Sequence, residues 1–95
     1  MNVGIAIRKL RKKRGLSQSM LAEKAKLTQA TLSKIERGKR PSDQTLKSLS
    51  AALEVPESLI YVMGIEKADV PTHKQDLYEK LFPVIQTMVF QIACE

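Results

Sequence analysis

Ninety-five residues fit one small domain with an appendage, and a hydrophobic content of 43% with only 4% aromatic gives an aliphatic core, better suited to a helical bundle than to a sandwich or barrel. The single cysteine, Cys94, excludes an internal disulfide framework and a thiolate metal cluster and reads as an inert thiol; no apolar run is long enough to cross a bilayer, so a soluble, cytoplasmic protein is expected. The net charge of +6 is unevenly placed: through Arg40, twelve Lys and Arg oppose only Glu23 and Glu36, for +10, whereas from Pro41 onward four Lys oppose eight acids, for −4. A half so basic favours a polyanionic partner.

In chain order, Val3, Ile7 and Leu10 share one helical face while Arg and Lys fill most other positions, which predicts a first helix ended by Gly15 in the left-handed conformation. Ser17 is placed to cap a second helix from Gln18 to about Lys24. Thr28 caps a third from Gln29 to Arg37, stopped by Gly38. Leu21, Ala22, Ala25, Leu27, Leu32 and Ile35 fall at the spacing that lets these two short helices share an apolar seam. Gln29, Ala30, Ser33 and Lys34 are left on the outer face of the third helix, a surface of the size and polarity that suits a major groove.

Lys39, Arg40 and Pro41 form a basic, helix-breaking loop. Ser42 then caps a fourth helix, Asp43 to about Leu53, whose Leu46, Leu49 and Leu53 make a core stripe. Pro56 opens a short fifth, in which Leu59, Ile60 and Met63 close the bundle before Gly64 stops it. The expected organisation is an all-α bundle of five helices over residues 1–65, a linker over 66–72 and a C-terminal segment over 73–95. In that segment Leu77, Leu81, Ile85, Met88 and Ile92 recur at helical spacing and form a one-sided seam, read as a dimerisation element. Deleting Pro71 to Glu95 should then weaken self-association and leave the bundle folded. Pro83 predicts a kink or break near Phe82; Val84 to Ile92 also fits a strand with Val84, Met88, Phe90 and Ile92 on one face, but helix is the favoured reading.

Residues 4 to about 64 closely resemble the phage-repressor and Cro type of helix-turn-helix, the xenobiotic-response-element (XRE) family. The resemblance rests on Leu16-Ser17-Gln18, Leu21-Ala22, the Ile35-Glu36-x-Gly38 close and Pro41, all in register. It implies a lambda-repressor-like bundle that binds double-stranded DNA and regulates transcription, as a repressor, with no cofactor; because one recognition helix reads too few base pairs to be selective, a homodimer on a near-palindromic operator is expected. It further implies that Gln29 reads adenine through its amide, that Ala30 meets a thymine methyl, and that Lys34 reaches guanine or a phosphate, with Ser33 secondary. Gln18, Thr31, Arg37, Lys39 and Arg40 resemble positions that hold the phosphate backbone. Glu36 and Arg11 resemble an ion pair tying the third helix to the first. The sequence departs from the family at Lys26, which stands at a turn position that glycine usually fills, and no basic arm precedes the first helix for minor-groove reading.

Two other readings are compatible with the sequence. One is an antitoxin whose C-terminal segment binds a partner toxin, and the other a protein-interaction adaptor without DNA. An enzyme is not expected, because His73 is the only histidine and no nucleophile, metal-ligand or phosphate-loop pattern accompanies it.

Overall fold

The computed structural model describes residues 1–93, which form six α-helices and no strand. They are α1 (Val3–Lys13), α2 (Gln18–Lys24), α3 (Gln29–Glu36), α4 (Asp43–Leu53), α5 (Glu57–Met63) and α6 (Gln75–Ala93), with two 3-10 turns, Lys67–Asp69 and Thr72–Lys74, before α6. Cys94 lies outside the described residues.

Short polar side chains set the helix starts. Asn2, Ser17, Thr28 and Ser42 each accept a hydrogen bond from an otherwise unpaired first-turn amide, that of Ile5, Met20, Thr31 and Thr45 respectively. Helix α1 ends as expected, with Gly15 at φ 71°. Two other turns adopt the left-handed region without glycine: Lys26 and Glu54 both stand at φ 58°, a conformation that costs a side-chain-bearing residue on the order of 1 kcal/mol. The sequence pointed to Lys26 but not to Glu54. At Glu54 there is a compensating contact, since the carboxylate pairs with the Arg14 guanidinium. Arg14 also donates to the carbonyls of Leu53 (2.8 Å) and Ala93 (3.2 Å). A cation that composition alone assigns to a polyanion thus fastens the ends of α1, α4 and α6 to one another.

The core runs through the first five helices: Ala6, Ile7 and Leu10 from α1, Leu21 and Ala22 from α2, Leu32 and Ile35 from α3, Leu46, Leu49 and Leu53 from α4, and Ile60 and Met63 from α5. Helix α1 crosses the C-terminal end of α3 at backbone distance. A Cβ on Gly4 would lie 2.0 Å from the Ile35 carbonyl oxygen, so only glycine permits the crossing. Close packing at this point fixes where α3 presents its opposite face.

The C-terminal segment is helical, as its apolar spacing favours, without the break expected near Phe82. Helix α6 runs unbroken through Pro83, so residues 84–92 are helix and not strand. Phe82 on one side of the proline and Val89 and Ala93 on the other are all buried, and this shared inner face holds the helix together across the missing hydrogen bond. Residues 66–72, expected as a linker, are bonded on both sides. The Met1 ammonium meets Glu66 (2.9 Å) and Asp69 (2.6 Å), the Gln75 amide donates to the carbonyls of Lys67 and Val70 (3.2 Å each), and the Tyr78 hydroxyl donates to the Ile65 carbonyl (2.9 Å). Val89 and Ala93 join the core cluster, so the segment expected to serve self-association also covers apolar surface of the bundle.

Candidate nucleic-acid interface

The two halves of the motif are held by packing on one side and left open on the other. Helices α2 and α3 bury Leu21, Ala22, Leu32 and Ile35 together with Ala25 from the turn between them. Since the inward residues of α3 fall at Leu32, Ile35 and Glu36, the helical period turns Gln29, Ala30 and Lys34 outward to solvent, with Ser33 half-buried at the edge. These four side chains, with Gln18 and Arg37, line one open concavity of about 420 Å³. Six of the residues assigned from the sequence to DNA are therefore brought to a single surface.

Thr31, Lys39 and Arg40 do not line it. Thr31 is half-buried and its hydroxyl accepts from Thr28 (2.8 Å), within the cap of α3. Lys39 and Arg40 are exposed on the loop after α3, and Arg40 borders a separate hollow of about 250 Å³ with Asn2, Gly4, Asp43 and Tyr61. Among the described residues none of Lys34, Arg37, Lys39 and Arg40 has an acidic partner within ion-pair distance. Four uncompensated cations on and beside α3 raise the local positive potential, the condition for attracting a polyanion.

Beneath the concavity lies a buried charge network. The Arg11 guanidinium grips Glu36 with two parallel bonds, Nε to Oε2 at 2.7 Å and Nη2 to Oε1 at 2.9 Å, and donates a third to the Leu16 carbonyl at 2.8 Å. The two side chains are only 9% and 3% exposed, so the pair that the family resemblance implied is desolvated and bidentate. Gln18 joins it: its Nε2 donates to Glu36 Oε1 at 3.2 Å, which turns the amide inward toward the carboxylate. Gln29 is held separately, by Ser19, whose hydroxyl donates to Gln29 Oε1 at 3.0 Å across the α2–α3 turn. Nothing in the sequence signalled Ser19, a serine in the first turn of a helix whose cap is already supplied by Ser17.

The residues assigned to dimerisation share one face as well. Leu77, Leu81, Ile85, Met88 and Ile92 all point away from the bundle and are 39–65% exposed, and Val84 joins them at 56%. The opposite side of α6 packs on the bundle through Phe82, Val89 and Ala93, with Phe90 under the Lys13 ammonium at 5.3 Å. Among the described residues no helix is long and apolar enough to cross a membrane.

Known proteins carry the same pattern. An uncharacterised HTH-type transcriptional regulator of Bacillus subtilis, RghRB, is 36% identical over 91 residues, covering 90% of this chain and 66% of that protein. The immunity repressor protein of Bacillus phage phi105 is 44% identical over 61 residues, covering 63% of this chain and 42% of its own. The HTH-type transcriptional repressor RghR of Bacillus subtilis is 41% identical over 64 residues, covering 64% of this chain and 47% of its own. The chain thus spans between about two fifths and two thirds of these relatives' lengths. No solved structure gave a significant match. A helix-turn-helix family model matches residues 7–60, from within α1 into α5, and with α2 and α3 folded as its two motif helices the chain belongs to the XRE-type helix-turn-helix family.

Proposed function

We propose that this protein is a sequence-specific regulator of transcription, a repressor that lays α3 in the major groove of double-stranded DNA. The observation that carries the reading is the single concavity shared by Gln18, Gln29, Ala30, Ser33, Lys34 and Arg37, with the cations of the following loop beside it. Gln29 at the start of α3 offers an amide that accepts from adenine N6 and donates to N7, Ala30 offers a methyl to thymine, and Lys34 one turn on donates to guanine O6 and N7. Arg37, Lys39 and Arg40 hold phosphates and set register, with Gln18 and Thr31 at the edges. Two similar proteins, RghR and the phi105 immunity repressor, are named as repressors, which supports the negative sign of the regulation.

A homodimer follows from the need for selectivity. A single recognition helix reads only a few base pairs at about 1–3 kcal/mol each, against roughly a million or more competing genomic sites. Doubling it on a two-fold axis spaces the reading helices by about 34 Å on a near-palindromic site. The outward face of α6 is the surface for this pairing. Leu77, Leu81, Val84, Ile85, Met88 and Ile92 carry no charge that a self-related copy would have to neutralise, and they form a contiguous exposed apolar face of the kind that monomers seldom leave uncovered.

Selection of bound sites from a randomised duplex library tests the reading. The expected outcome is a near-palindromic motif whose base preference relaxes in Gln29→Ala, whereas Arg40→Ala weakens all DNA about equally and lowers the salt dependence by roughly one ion. An unchanged motif in Gln29→Ala removes Gln29 as a reader, and an absence of DNA binding at low salt removes the function.

A further inference from the structure

We infer that Ser19 is a positioning residue for base recognition, which fixes the amide of Gln29 in the orientation that reads adenine; this rests on Gln29 being a reader. A glutamine at the start of an exposed helix has three rotatable bonds and an amide that can present either oxygen or nitrogen on a given side. To pair with the N6 and N7 edge of adenine the amide must lie in one plane with both atoms facing the base, and a freely rotating side chain loses much of the gain to ordering.

The concavity contains two glutamines, and each is restrained by a different partner. Gln18 is engaged by the buried Glu36 carboxylate through its Nε2 at 3.2 Å. Gln29 is engaged by the Ser19 hydroxyl through its Oε1 at 3.0 Å. The Ser19 bond uses one of the two lone pairs of Oε1 and leaves the second for the adenine N6 amine, while Nε2 keeps its protons for N7. With the hydroxyl as donor, Oε1 is the amide atom held on the Ser19 side. Ser19 lies on α2 and Gln29 on α3, so the bond ties the reader to the other helix of the motif across the turn that contains Lys26.

Ser19 is exposed and caps nothing, Ser17 being the side chain that accepts from the first-turn amide. Ser19→Ala therefore leaves the fold in place and removes only the donor, and Ser19→Thr keeps a hydroxyl there. The experiment measures the affinity of full-length wild type, Ser19→Ala, Ser19→Thr and Gln29→Ala for the site selected from the randomised duplex library and for that site with the adenine replaced by each other base, with thermal melts alongside. Ser19→Ala should lose roughly five-fold of the discrimination at that base pair, the worth of one hydrogen bond, with unchanged melting and unchanged affinity for random duplex. Ser19→Thr should retain most of it. If Ser19→Ala keeps full discrimination while Gln29→Ala loses it, Gln29 stands as a reader and the role of Ser19 is overturned. If neither variant alters base preference, the reading of Gln29 itself fails and the inference with it. A uniform weakening toward every duplex in Ser19→Ala also overturns the proposal, since it would report a phosphate contact.

Discussion

Glu36→Ala should be among the most damaging single substitutions in the bundle, although the ion pair it breaks contributes little net stability. The Glu36 side chain is 3% exposed and accepts from Arg11 Nε and Nη2 and from Gln18 Nε2. Assembling such a pair from water costs nearly as much in desolvation as the attraction returns, so replacing both partners with apolar residues is close to neutral. Removing one partner is a different perturbation, because the Arg11 guanidinium, 9% exposed, is left buried with only the Leu16 carbonyl as acceptor. The expected loss is about 3–5 kcal/mol. Against a total of about 5–10 kcal/mol for a domain of this size, that is a third or more of the stability. Urea unfolding followed by circular dichroism of Glu36→Ala, Arg11→Met and the double variant Arg11→Met/Glu36→Leu gives the cycle. Each single variant should lose about 3–5 kcal/mol, and the double variant should recover to within about 1 kcal/mol of wild type. A Glu36→Ala loss below about 1 kcal/mol would refute the reasoning, since it would mean that water reaches the guanidinium once the carboxylate is gone.

Further outcomes can be read from the same fold. Ile85→Asp on the outward face of α6 should shift self-association toward monomer in sedimentation equilibrium with the monomer still folded, whereas Val89→Asp, at a position 4% exposed, should unfold the chain; a full dimer in Ile85→Asp would dismiss the α6 face as the pairing surface. Lys26→Gly should stabilise by about 0.5–1 kcal/mol in urea through relief of a positive φ, whereas Glu54→Gly should be near neutral, because the strain it relieves is balanced by loss of the Arg14 ion pair. The Asp69 carboxyl is held below its ordinary 3.8, first by the bond from the Met1 ammonium and then by the Glu66 amide, and the ammonium is held above its ordinary 8.0 by bonds to Asp69 and Glu66. The carboxylate contribution is therefore present above about pH 4 and fades as pH falls through the depressed value. The ammonium contribution is present below about pH 8 and fades as pH rises through the raised one. Asp69→Asn should flatten both flanks of a plot of urea midpoint against pH, and an unaltered profile would contradict the assignment.

The helices, their caps and the outer face of α3 were legible in the residues, because these depend on interactions within a few positions of each other. Ser17, Thr28 and Ser42 cap where their position before an apolar period requires it, and Leu32 and Ile35 orient α3 so that Gln29, Ala30 and Lys34 are exposed. Asn2 carried the same signal for α1. Features that depend on contacts between distant parts of the chain emerged from the packing alone. Helix α6 survives Pro83 because Phe82, Val89 and Ala93 are buried against other helices, a stabilisation absent from any local pattern. Arg14 reaches residues 39 and 79 positions away, and its role as a clasp was hidden among the cations around it. The concavity itself belongs to both categories: its residue types were legible because an amide and a cation at helical spacing have a recognisable chemistry. Which partner restrains each amide, Glu36 for Gln18 and Ser19 for Gln29, follows from how α2 is laid against α3, a packing geometry that periodicity does not encode.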